Sequence, residues 1–130
     1  MIDIVSTITD YIDSNTTNTK AVDLFIDNLP DTIDNGIMLI GIGGDLEKQY
    51  DLFEQKIEIW TRNKVTSDGF SKLGEILTLL HRKANISIDN AYIYFIQSTT
   101  NVESMGRDIN GRSLHKIIVR VIYKDQPGIS

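Results

Sequence analysis

The chain contains no cysteine. That excludes disulfide bridges, a thiolate nucleophile and any zinc site built on thiolates. Histidine is nearly as scarce: His81 and His115 are the two in 130 residues. Zinc requires three or four converging ligands, and these two form no His-x-x-x-His pair, so metal binding is not expected. No apolar run approaches the roughly 18–20 residues that span a bilayer. The opening Met1-Ile2-Asp3-Ile4-Val5 lacks the basic and apolar regions of a secretory signal, so a protein made in a cytoplasm with no membrane partner is expected. Positive charge is in deficit as well, with 13 Lys and Arg against 18 Asp and Glu and a formal net charge of −5. A general nucleic-acid binder carries a basic footprint, and this chain does not.

What is present fits one globular domain. The length is near the commonest domain size, and 41% hydrophobic with 24% charged residues is ordinary for a folded soluble chain. Ile4, Ile8, Tyr11 and Ile12 recur at helical spacing and predict a helix over 2–14, closed by the polar run Ser14–Thr19. Ala21–Ile26 reads as a strand stopped by Asn28-Leu29-Pro30, because proline donates no ladder hydrogen bond. Ile37–Ile42 is apolar on both faces and short, as a central strand is. Over 52–61, Phe53, Ile57 and Ile59 share one strand face while Glu54, Lys56, Glu58 and Trp60 share the other. Phe70, Leu73, Ile76, Leu77 and Leu80 predict a helix over 68–82, with Ser67 or Asp68 as its cap and His81-Arg82-Lys83 at its negative end.

Two β-prone runs follow, Ala91–Gln97 and Ile117–Tyr123, joined by a connection that contains Asn110-Gly111, a dipeptide suited to tight hairpin turns. On the second run, Ile117, Val119, Val121 and Tyr123 face one way, and Lys116, Ile118, Arg120, Ile122 and Lys124 the other. The expected order is α-β-β-β-α-β-β. This is an α+β fold in a single domain, 1–130, with one mixed or antiparallel sheet of about five strands and two helices packed on it.

Catalytic patterns fall short. Gly41-Ile42-Gly43-Gly44 completes neither a dinucleotide fingerprint nor a P-loop, and reads as a strand end or turn. Asp23, Asp27, Asp31 and Asp34 lack the spacing of a calcium loop and read as a solvated rim. No Gly-x-Ser-x-Gly marks a nucleophile elbow. Glu54 and Glu58 sit on the polar face of a strand. No catalytic residue, cofactor site or metal site is expected. The charged connection remains: Arg107 and Arg112 could pair with Asp108, with Glu103, or with carboxylates of another subunit, since the guanidinium fork suits bidentate contacts across interfaces. An exposed loop kept soluble by its charge is the alternative on physical grounds alone.

The aromatic strand, the Gly106-Arg107-Asp108-x-Asn110-Gly111-Arg112 connection and the closing strand ending in Tyr123 resemble the C-terminal half of phage minor capsid or tail-terminator proteins. Asn28-Leu29-Pro30 after a strand, a strand at 52–61 and a helix ending in Leu80-His81-Arg82 agree in order. The resemblance implies a virion protein that assembles as a ring, usually a hexamer, on the head-proximal end of a tail tube. There it would stop tube polymerisation and meet the head–tail connector protein. It implies partners in itself, the tail tube protein and the connector, with DNA passing through unbound. Arg107, Asp108, Asn110 and Arg112 are then candidates for subunit contact. Another neck protein, such as a head-completion adaptor, is the alternative within the same class; a small ligand-binding domain is the alternative outside it.

Overall fold

The computed structural model describes residues 2–44, 46–47 and 52–125. Its elements are α1 (Ile4–Asn15), β1 (Leu24–Ile26), β2 (Gly36–Gly41), β3 (Leu46–Glu47), β4 (Leu52–Asn63), α2 (Thr66–Leu80), β5 (Ala84–Ile88), β6 (Ala91–Ser98), β7 (Glu103–Arg107) and β8 (Ser113–Asp125). They form an α+β fold with one mixed sheet, ordered β1-β2-β4-β8-β6-β5, with β3 added to β4 and β7 to β8. Among the described strands, β1 and β2 pair in parallel and the other pairs are antiparallel.

The centre is the antiparallel pair of β4 and β8, registered continuously from Phe53↔Tyr123 to Asn63↔Ser113. Neither strand has an open edge along most of its length. Beyond β8, β7 pairs with its first residues and β6 with its later ones. Beyond β4, β2 pairs with Ile57–Arg62 and β3 with Leu52 and Phe53. Strict alternation along both long strands sends Ile57, Ile59, Ile117, Val119, Val121 and Tyr123 to one face. Ile4, Ile8 and Ile12 of α1 and Leu73, Ile76 and Leu80 of α2 cover that face, and all of these side chains join one buried cluster. The result is two layers, with both helices on the same side.

Several local details depart from the sequence reading. Asp3 lies outside α1 and caps it, its carboxylate accepting from the Ser6 amide at 3.2 Å, so the helix begins two residues later than expected. The segment 21–23 is a turn, with Ala21 at φ 65, so β1 keeps only the last three residues of the expected strand. α2 begins at Thr66 after Val65 with no side-chain cap, placing Ser67 and Asp68 inside its first turn. It ends at Leu80, with His81 as the cap residue and Arg82 at φ 66, so the basic triplet lies past the last turn. The connection between the two β-prone runs holds a further strand, β7, so the Asn110-Gly111 turn closes a β7–β8 hairpin. Three strands, β3, β5 and β7, add to the expected five.

Gly43 and Gly44 are required for different reasons, the first for its backbone conformation and the second for close packing. Gly43 adopts φ +98, and a Cβ on Gly44 would lie 1.9 Å from the Glu54 carbonyl oxygen. The glycines let the end of β2 pass against β4.

Removing methylenes from a fully enclosed site leaves a void that the two layers cannot close. Ile59→Ala is expected to cost about 2–5 kcal/mol, read as a lower urea midpoint with an unchanged m-value.

Candidate assembly surface

Asp108, Ile109, Asn110, Gly111 and Arg112 close the β7–β8 hairpin. The Asp108 amide donates to the Arg112 carbonyl at 2.9 Å, and the Gly111 amide to the Asp108 carbonyl at 3.0 Å. Gly111 takes φ +77, the left-handed conformation that Asn-Gly turns supply. The Asp108 carboxylate gathers the loop around itself, accepting from the amides of Asn110 (3.0 Å) and Arg112 (2.9 Å) and from Arg112 Nε (2.8 Å). Its burial favours the neutral form, yet these three hydrogen bonds and the guanidinium charge outweigh that and hold its pKa below the usual carboxylate range.

Arg112 does more than close the turn. Its side chain is only 5% exposed and reaches the loop before β2. Nη1 donates to the Asp31 carbonyl at 2.8 Å, and Nη2 to Asp31 Oδ1 at 2.6 Å, with Asp34 Oδ1 at 3.5 Å. The hydrogen bond to Asp31 leads the effects that raise its pKa, so it stays charged throughout. Arg62 on β4 holds the same loop as well, donating to the carbonyls of Leu29 (3.5 Å), Pro30 (2.5 Å) and Ile33. Two guanidinium groups thus fix a loop that has almost no regular structure of its own. A further tie runs from Arg107 Nη2 to Thr66 Oγ1 at 3.0 Å, and from Thr66 to Ser113 Oγ at 2.5 Å, joining the tip to the start of α2. Beneath α2, His115 is buried opposite Thr61, and desolvation lowers its pKa. A Cβ on Gly69 would come within 3.1 Å of its Nδ1, so glycine permits this close helix seat.

The four residues singled out from the sequence therefore divide. Asp108 and Arg112 form an ion pair within the chain. Arg107 and Asn110 are exposed, and Arg107 has no carboxylate partner among the described residues.

The second feature is the sheet face that the helices leave uncovered. Met38, Ile40, Trp60, Leu114, Ile118, Ile122 and Phe95 stand on it, half-buried. Ion pairs lie between them: Arg120 Nε to Glu54 at 2.8 Å, and Lys116 to Glu58 at 4.0 Å. Lys116 also sits 5.3 Å over the Trp60 ring, whose Nε1 donates to Glu58 at 2.9 Å. At the end nearest the hairpin tip, Leu29, Met38, Trp60 and Leu114 line a groove of about 330 Å³ with Asp27, Asn28 and Arg62 at its sides. The sequence showed the apolar positions of this face, but not Arg62 or the groove, which form only when the loop before β2 is folded against β4.

Because Asp108 is depressed when folded, its contribution to the clamp is complete above the unfolded carboxylate pKa and fades as pH falls through the folded value. Acid below about pH 4 is expected to release the 27–35 loop ahead of the sheet, followed by amide hydrogen exchange. Asp108→Asn is expected to loosen that loop already at neutral pH and to flatten its acid response. Arg112→Ala is expected to lower the melting temperature by several degrees, since it leaves Asp31 and Asp108 without their cation.

Among the described residues, no helix is long and apolar enough to cross a membrane. No curated protein matches the sequence. A solved structure with 11% identical residues aligns over 98% of this chain and 93% of its own length at a TM-score of 0.50, a likeness of fold alone. The model of the bacteriophage tail terminator protein family matches residues 11–125, which runs from α1 to the end of β8 and takes in both loops of the clamp. The chain belongs to the bacteriophage tail terminator protein family, a family of structural components of the virion tail.

Proposed function

We propose that this protein caps the head-proximal end of a tail tube as a closed ring, ending tube growth and presenting a joining surface to the head-side connector. Family membership supports the terminator role. The observation that carries the ring is the uncovered sheet face beside a braced hairpin tip. A two-layer fold with half-apolar residues across its second sheet face has surface to bury against a neighbour. Repeating one such contact between different patches of identical chains gives a head-to-tail assembly, which closes when its rotation closes.

Within this reading the four tip residues have separate parts. Asp108 and Arg112 set the shape of the tip, while Arg107 and Asn110 meet the next subunit. A ring six subunits round is the expected size. The net charge of −5 suits a conduit, because a lumen that does not bind phosphate does not slow the passage of DNA. The Glu54–Arg120 and Glu58–Lys116 pairs, set among the apolar residues of the face, would give the contact direction more than strength.

Native mass spectrometry of the protein alone and with purified tail tubes tests the reading. A single closed stoichiometry is expected in at least the second sample, and Arg107→Glu is expected to abolish it while leaving the monomer folded. A protein that remains monomeric with tubes, but joins isolated connectors, would instead be a neck adaptor.

A further inference from the structure

Ile109 is 99% exposed at the outermost point of the hairpin tip. A large aliphatic side chain wholly in water is not by itself unusual, but the backbone that carries this one is braced. The residues on both sides of it are tied down: Asp108 by its hydrogen bonds to the Asn110 and Arg112 amides, and Gly111 by its amide to Asp108 and by its carbonyl to Arg107 Nη1 at 2.7 Å. A braced backbone leaves only the side-chain torsions to be fixed on docking, which suits an anchor. Its exposure also shows that it does not occupy the groove of its own chain.

We infer that Ile109 of one protomer inserts into the Leu29–Met38–Trp60–Leu114 groove of a second copy, and that this is the contact that builds the ring; the inference rests on the ring reading above. Three features match. The groove, at about 330 Å³, has room for an aliphatic side chain and has apolar walls. Its rim carries Asp27, an exposed carboxylate without a cation partner among the described residues, while the tip carries Arg107, an exposed cation without a carboxylate. Docking the knob would bring a neighbour's Arg107 toward Asp27 and neutralise both. Finally, knob and groove are different patches, so the contact can repeat head to tail, each protomer offering one of each. A lipid surface or an unrelated protein would have no cause to match this spacing of one apolar knob and one cation.

Trp60 is the sole tryptophan of the chain and lines the groove, so its emission reports occupancy. Assembly of the wild-type chain, alone or on purified tubes, is expected to shift that emission to the blue. Ile109→Asp is safe for folding because the side chain touches nothing. It is expected to remove the shift and to raise the concentration needed for assembly roughly tenfold or more. A chain without native cysteine also permits a direct check. When separate Ile109→Cys and Asn28→Cys proteins are mixed and oxidised, cross-linking between the two variants is expected to exceed self-cross-linking of either. If Ile109→Asp assembles at the wild-type concentration, or Ile109→Cys links mainly to itself, the knob-in-groove contact is wrong while the ring stands. If the wild-type chain forms no ring even on tubes, both are wrong.

Discussion

The Arg112 guanidinium joins the hairpin tip to the loop before β2. It lies at the end of a turn, yet binds a loop nearly eighty residues earlier, with Asp108 on one side and Asp31 and Asp34 on the other. Five donors in a planar fork can satisfy carbonyls and carboxylates together, which an ammonium group cannot do with the same geometry. The side chain is almost excluded from water, so the fork must be filled once it is there. Removing it would take the guanidinium donor from Asp108 and from the Asp31 carbonyl, and with it this tie between the two loops. With it in place, the hairpin tip and the wall of the open groove become one rigid unit.

The sheet supplies the frame for that unit. β4 and β8 are long enough to run from the helix-covered core to the clamp, and their unbroken register carries each residue to a fixed face. Below, Ile57, Ile59, Ile117 and Val119 meet the helices. Above, Trp60, Leu114 and Ile118 meet nothing within the chain's helical layer. The burial that stabilises the monomer is thus spent on one side, and the other retains apolar surface interrupted by ion pairs. Such a face suits a protein that must stay soluble as a subunit and still associate with copies of itself. A fully apolar face would aggregate at random, and a fully charged one would not associate.

The sequence made the long-range frame legible because alternation is a local signal. Phe53, Ile57 and Ile59, and Ile117 through Tyr123, announce their faces without any knowledge of partners. β5 and β7 were invisible for the opposite reason: Ala84–Ile88 and Glu103–Arg107 are short and exposed, and become strands only because β6 and β8 offer them an edge. Asp89 takes the φ 50 required by the two-residue turn after β5, a role that Asp-Asn could have suggested. The tip was recognisable as a turn from Asn110-Gly111, but charge alone could not tell Arg107, which is exposed, from Arg112, which is buried. Their difference depends on where Asp31 and the carbonyls around it come to lie. Arg62 was overlooked on the same ground, since nothing local distinguishes it from any other polar residue on a strand.

The central claim is that these surfaces build a ring that sits on one end of a tube. Electron microscopy of purified tail tubes incubated with the protein tests it most directly. A closed ring on a single end of each tube is expected, with tubes that no longer lengthen when tube subunits are added. Protein bound along the tube walls, or tubes that continue to grow from capped ends, would contradict it.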